Sequence, residues 1–328
     1  MSVAGFAVIA FLLTGYVLLD GYDLGVAAIA PLIGRSDHER ATAMASIGPF
    51  WNGNEVWLIA AGAALFALFP AAYASSFSGF YLPFIVVLWL LMFRGIALEL
   101  RERRSSELWH QFWDAAFSLA SGLLIVFFGV TLGNLLRGVP LDAAGYFQGT
   151  FAFLLNPYAL LVGIFALVTL GAHGAAFAAM RIDGEPGVRA MRLVRGGVWL
   201  MLALYVAVTV STFAMHVPIR ASWLFVMPLL SLAALAGLWR TARKGREVGA
   251  FVMSCCFIVT LLVTAAGTLF PYLLPAFPAG SGGISIFEAA PSATALSCAL
   301  TVTLLGIVLL AMYAPAVWQR MGGKIRVE

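Results

Sequence analysis

Apolar residues run along this chain in long blocks, not in the spaced stripe of a surface helix or the alternation of a half-buried strand. A helix crosses the hydrocarbon core in about 20 residues at about 1.5 Å each. The blocks predict nine spans, at residues 3–33, 46–70, 74–100, 112–137, 156–182, 190–216, 221–240, 247–274 and 291–319. Connections are short, and the two longest, 138–155 and the Pro/Gly/Ser-rich 275–290, fall on one side of the membrane. The expected fold is all-α and polytopic, a single integral-membrane domain over residues 1–328 with no soluble domain left over.

Composition agrees with the pattern. Of 328 residues 62% are hydrophobic and 10% charged, against about 45–50% and about 25% in soluble domains. A water-soluble fold is excluded, and the net charge of +4 does not point to nucleic acid. Its distribution is more informative. The connections after spans 1, 3, 5 and 7, with their flanks and the C-terminal tail, hold all but two of the 19 basic residues. Only Arg137 and Arg220 lie on the other side. The positive-inside rule then places the N-terminus outside and the C-terminus in the cytoplasm. No basic residue precedes Arg35, so the first span lacks the charged start of a secretory signal and is expected to remain in the mature protein. Cys255, Cys256 and Cys298 lie in apolar runs without ligand spacing and read as small core residues.

A weak repeat is visible. Leu19-Asp20-Gly21 and Val56-Trp57-Leu58 are echoed by Ala172-His173-Gly174 and Val198-Trp199-Leu200. Residues 1–137 and 156–274 would then be two four-helix bundles of one orientation, with 291–319 as a peripheral helix and His173 in the place of Asp20.

Ionisable groups inside the membrane are costly and usually functional. Asp20 and Asp23 are three apart, on one face of the first helix. Glu55 opens the second span about 9 Å beyond Pro49, within Trp51-Asn52-Gly53-Asn54-Glu55-Val56-Trp57. Asn52 and Glu55 share a face there. Both helices enter the cytoplasmic half, so Asp20, Asp23 and Glu55 are candidates for a proton path; the competing reading is hydrogen-bonded packing. Gly21 and Gly25 make a G-x-x-x-G step for close helix contact. Trp51 reads as an interfacial anchor, and Arg94 and Asp114 as structural groups that snorkel to the interface.

A membrane cytochrome needs axial ligands on facing helices. His38, His110 and His216 lie in a loop or at helix ends, and only His173 is within a span, where it reads as a hydrogen-bonded packing element. No haem is expected in this chain, and there is no phosphate loop, dinucleotide fingerprint, zinc pair or nucleophile elbow.

Gly21-Tyr22-Asp23-Leu24-Gly25 and Trp51-Asn52-Gly53-Asn54-Glu55-Val56-Trp57 resemble the signatures of helices 1 and 2 in subunit II of the cytochrome bd quinol oxidases. The likeness continues in order through Gly79-Phe80-Tyr81, Phe93-Arg94-Gly95 with Glu99 and Arg101, Gly133-Asn134-Leu135 with Gly138-Val139-Pro140, Leu155-Asn156-Pro157 and Phe270-Pro271-Tyr272. The very short connection between spans 6 and 7 is similar to the compact branch of that family. The resemblance implies a plasma-membrane respiratory complex, bacterial or archaeal, that oxidises quinol at the outer side and reduces dioxygen to water with cytoplasmic protons. It implies haem b and haem d in a partner, subunit I, no cofactor in this chain, lipid contact, and room for a small single-helix third subunit. Asp23 and the helix 2 motif would contribute to proton delivery, and Trp57 would lie near a dioxygen route. Where the family usually has Asp, this chain has Asn52, which cannot titrate; Glu55 is the expected substitute. Two other classes remain open on the residues alone: a proton-coupled transporter, and a scaffolding subunit whose acids serve packing.

Overall fold

The structure is a computed structural model that describes residues 1–218, 221–278 and 280–325. Arg220 and Arg326, both used in the charge count, lie outside the described residues. Twelve α-helices run in chain order: α1 (Ser2–Ile33), α2 (Asp37–Ile47), α3 (Trp51–Leu68), α4 (Pro70–Gly79), α5 (Tyr81–Leu100), α6 (Glu107–Arg137), α7 (Phe151–Leu154), α8 (Pro157–Arg181), α9 (Glu185–Ala214), α10 (Met227–Arg243), α11 (Glu247–Leu269) and α12 (Ala293–Met321). Two short strands, β1 (Tyr272–Pro275) and β2 (Gly283–Ser285), pair antiparallel.

The chain is an all-α, multi-pass membrane protein. Among the described residues eight helices are long and apolar enough to span, namely α1, α5, α6 and α8 to α12. The second predicted span, 46–70, is not among the eight: its first residues end a separate helix, α2, and the remainder, α3, opens on the polar run Trp51–Glu55. The third predicted span is divided at Phe80 into α4 and α5. Prolines set several starts, since Pro70, Pro157 and Pro228 occupy first-turn positions where no backbone N–H is needed. The eighth predicted span ends early, at Leu269, because Phe270 precedes Pro271 and is disfavoured as helix. Residues 272–275 form β1 instead.

At the centre, α1 and α8 pack on one another. Around them, α1 meets α3 and α6, α6 meets α5 and α8, α8 meets α9 and α11, and α10 completes the second group against α9 and α11. Burial follows: most of α8 is buried, whereas little of α12 is, and α12 touches mainly α3 at the edge. Lipid supplies no hydrophobic drive between helices, so their contact rests on close packing. A β-carbon on Gly25 would overlap the Leu170 carbonyl, and one on Gly174 would overlap the backbone at Gly25. That crossing is the one served by the predicted G-x-x-x-G step, with α8 as its partner.

Loops gather at two ends. At the end rich in Arg, α2 carries a complete capping box from Ser36 and Glu39 and is tied down by ion pairs. Glu39 Oε1 is 2.6 Å from Arg189 on α9, and Arg101 Nε and Arg40 Nε lie 2.6 and 2.7 Å from the two oxygens of Asp114. The expectation that Asp114 snorkels is therefore corrected: it is buried between two guanidinium groups at the start of α6. The tail closes this end, with Ile325 bonded to the backbone at Arg181 and Asp183, and Lys324 2.8 Å from Glu247. At the other end, Val139 bonds to the backbone of Pro275 and Phe277, and the Arg137 guanidinium sits 4.5 Å from the rings of both Phe153 and Phe277.

Candidate functional site

Two buried polar contacts link α1 to its neighbours about 15 Å above the Arg-rich end, ten residues from the last turn of α1. Asp20 and Asp23 are both fully buried, yet they meet different helices. The Asp20 carboxylate accepts two hydrogen bonds from Arg94 on α5, Nη2 to Oδ1 at 2.5 Å and Nη1 to Oδ2 at 3.0 Å. This bidentate fork is the strongest geometry available to such a pair. The Arg94 guanidinium also lies 5.9 Å from the Trp51 ring. Arg94 does not snorkel. It is 1% exposed and directed into the bundle, because an Arg in the interior is tolerated only when paired.

Asp23 faces α3. Its Oδ2 accepts a hydrogen bond from Asn54 Nδ2 at 2.7 Å, and the same amide lies 2.8 Å from the Tyr22 hydroxyl and 3.3 Å from the Leu19 carbonyl. Asp23 Oδ1 has no hydrogen-bond partner among the described residues. One oxygen is held by Asn54, and the other, equally buried, lies outside that contact. The Tyr22 ring stacks on Phe177 at 4.0 Å, and Phe177 meets Trp318, which in turn stacks on Phe50. An aromatic cluster thus lies against the site.

Of the two amides in the α3 motif, the structure brings Asn54 and not Asn52 to Asp23. Asn52 is exposed and lines a groove between α3 and α12, of about 1050 Å³, with Gly53, Val56 and Tyr313. It is not part of the buried cluster. Glu55 is half-buried and within the electrostatic reach of Arg94 and Asp20, but the hydrogen bond to Asp23 comes from Asn54. A signal for this was present. Asn54 is in helical phase with Trp57, Ala61, Ala64 and Leu68, the buried face of α3, whereas Asn52 is not. Trp57 is buried against Gly15 of α1 and lies 5.9 Å from the Phe11 ring, on the apolar side of the polar cluster.

His173, the histidine within a span, is fully buried with both ring nitrogens engaged: Nδ1 is 2.7 Å from Ser254 Oγ on α11 and Nε2 is 3.0 Å from the Leu18 carbonyl on α1. No group of three or more His, Cys, Asp or Glu side chains is arranged to hold a metal ion among the described residues.

A membrane-embedded, ion-paired acid cluster carried by the Gly21–Gly25 and Trp51–Trp57 motifs is open to comparison with known proteins. The family profile described as "Cytochrome bd terminal oxidase subunit II" matches residues 1–321. The chain belongs to the cytochrome bd terminal oxidase subunit II family. The "Cytochrome bd-I ubiquinol oxidase subunit 2" of Escherichia coli (strain K12) is 30% identical over 352 residues, covering 97% of this chain and 93% of that protein. The "Probable cytochrome oxidase subunit 2" of Haemophilus influenzae is 32% identical, covering 96% of this chain and 92% of its own. The fold is also that of a chain in "The structure of bd oxidase from Geobacillus thermodenitrificans", with a TM-score of 0.79 at 17% identity over 98% of this chain and 97% of that one. As a subunit II, this chain is a component of a respiratory quinol oxidase in the bacterial plasma membrane. Membership removes the transporter alternative.

Proposed function

We propose that this chain is the haem-free half of the oxidase and that Asp23 is its point of proton entry from the cytoplasm. The observation that carries the reading is the asymmetry of the Asp23 carboxyl: buried in the membrane, held at Oδ2 by Asn54 and without a hydrogen-bond partner at Oδ1 among the described residues. Asp20 is tied to Arg94 at both oxygens and serves as the fixed charge beside it. Glu55, half-buried at the head of α3, relays protons toward that pair, the task that Asn52 cannot perform. Trp57, on the same buried face of α3 as Asn54 and packed against Gly15 of α1, walls an apolar dioxygen route.

The haem-free reading draws on His173, whose two nitrogens are already occupied by Ser254 and Leu18, so that it has none to offer iron. Haem b and haem d then belong to subunit I, which docks on the apolar surface of this chain, where Trp89, Phe66 and Met312 are exposed. We propose α3 as a ninth span, lined up between α1 and α12, with the N-terminus outside and the Arg-rich end in the cytoplasm. The pattern of helix contacts supports two bundles. The α1–α3, α1–α6 and α5–α6 contacts of the first are matched by α8–α9, α8–α11 and α10–α11 in the second.

The test is oxygen consumption by the intact oxidase with quinol as donor, normalised to haem content from reduced-minus-oxidised spectra. D23N is expected to slow turnover by roughly a hundredfold, the scale of a lost proton-transfer group, and E55Q by a smaller factor with haem retained. Wild-type turnover in haem-replete D23N would sink the assignment.

A further inference from the structure

His173 stands apart from the acid cluster in sequence, yet it bonds to the turn of α1 that carries it. The Leu18 carbonyl can only accept, so His173 Nε2 bears a proton and donates to it. Nδ1 lies 2.7 Å from the Ser254 hydroxyl, which is also 2.6 Å from the Phe251 carbonyl and so shares its one proton between the two acceptors. Leu18 and Leu19 supply the carbonyls to which the N–H groups of Tyr22 and Asp23 are directed four residues on in α1. Each of these carbonyls receives a second donor from another helix: His173 of α8 at Leu18, and Asn54 of α3 at Leu19. The Tyr22 ring is enclosed from the same side, 4.0 Å from Phe177, 5.9 Å from Phe251 and 6.2 Å from His173, while Phe251 stacks on His173 at 5.1 Å. The Tyr22 hydroxyl and the Asp23 carboxylate share the Asn54 amide.

We infer that His173, oriented by Ser254, is a positioning residue for proton entry at Asp23. It holds the α1 turn and the Tyr22 ring from α8, and so fixes where the Asn54–Asp23 bond forms. The second helix group, which lacks a buried carboxylate in this cluster, thereby takes part in the chemistry of the first. This rests on the role of Asp23 proposed above, so D23N is measured in parallel.

The experiment uses the intact oxidase with quinol and dioxygen, and reads kcat and KM for quinol with haem content. H173F keeps a ring of similar size and removes the donor. It is expected to lower kcat about tenfold, the effect of a misplaced reacting group, with KM unchanged. H173Q, whose amide restores an N–H toward Leu18, is expected to recover kcat to within about twofold of wild type. Equal losses in H173F and H173Q overturn the inference, as does a wild-type rate in H173F. Should H173F fail to assemble, S254A decides: it removes only the hydroxyl that turns the ring, and a haem-replete S254A at the wild-type rate overturns the inference, whereas a several-fold fall in kcat supports it. If D23N itself runs at the wild-type rate, it is the role of Asp23 that fails.

Discussion

Asp20 and Asp23 are separated by less than one turn of α1, and their partners give them different tasks. Asp20 has a cation of its own. Burying that pair costs desolvation of both ions, and their mutual attraction offsets it only because the fork is bidentate. Removing one member leaves the other as an unpaired buried charge, at a cost of about 3–5 kcal/mol, whereas replacing both with apolar groups of similar volume is often neutral. R94L is therefore expected to lower the thermal stability and yield of the assembled complex, and D20L/R94L to recover most of both. A double variant as unstable as the single one would show that Arg94 acts through something other than Asp20. The sequence identified Asp20 and Asp23 from cost alone, since an acid in a spanning helix needs a reason. It left Arg94 at the interface because six residues separate it from the end of α5, close enough for a long side chain to reach water. Which way an Arg turns depends on whether a neighbouring helix offers a carboxylate, and pairing between helices is not written in either one.

At the scale of elements, the spans were legible because the bilayer imposes their length, and the breaks were not. Capping signals for α2 were present in Ser36 and Glu39, yet a short polar helix at a membrane surface has no apolar period to announce it. The phase of α3 follows from its packing on α1, and that phase brings Asn54 rather than Asn52 to Asp23. Here α2 acts as a tether. Glu39 joins its first turn to Arg189 on α9, and this hydrogen bond, with the backbone N–H groups of Arg35 and Ser36, holds the Glu39 carboxyl below its usual 4.5. The sign follows: a carboxyl with a lowered value in the fold stabilises the folded state above 4.5 and loses that contribution as pH falls through the folded value. Asp37 adds in the same direction; its burial alone would raise it, but Arg101 and His110 outweigh that and lower it. Thermal unfolding in detergent across pH 3 to 7 is expected to separate wild type from E39Q near neutrality, with the gap narrowing as the pH falls below 4.5. A gap of constant width would mean that the Glu39–Arg189 contact does not stabilise the fold.

Over the whole molecule the question is orientation, which decides whether Asp23 can draw protons from the cytoplasm at all. The polar cluster lies nearer the end where α2, the starts of α6 and α9 and the C-terminal tail are laced together by Arg40, Arg101, Arg189 and Lys324. If that end is cytoplasmic, α3 must cross, because α1 ends and α5 ends on the same side with only the short α2, α3 and α4 between them. An even number of crossings would put the N-terminus at Ser2 and the tail of Lys324 on one face together. Single cysteines at these positions separate the cases, in a background where Cys255, Cys256 and Cys298 are replaced by alanine. In right-side-out vesicles a membrane-impermeant maleimide is expected to label S2C at once and K324C only after the membrane is opened. Labelling of both from outside would remove α3 from the count of spans. Labelling of K324C alone would invert the molecule, placing the Asp23 site nearer the outer surface, and proton entry from the cytoplasm would then need a path through nearly the full thickness of the bilayer, past the apolar packing of α1 against α8.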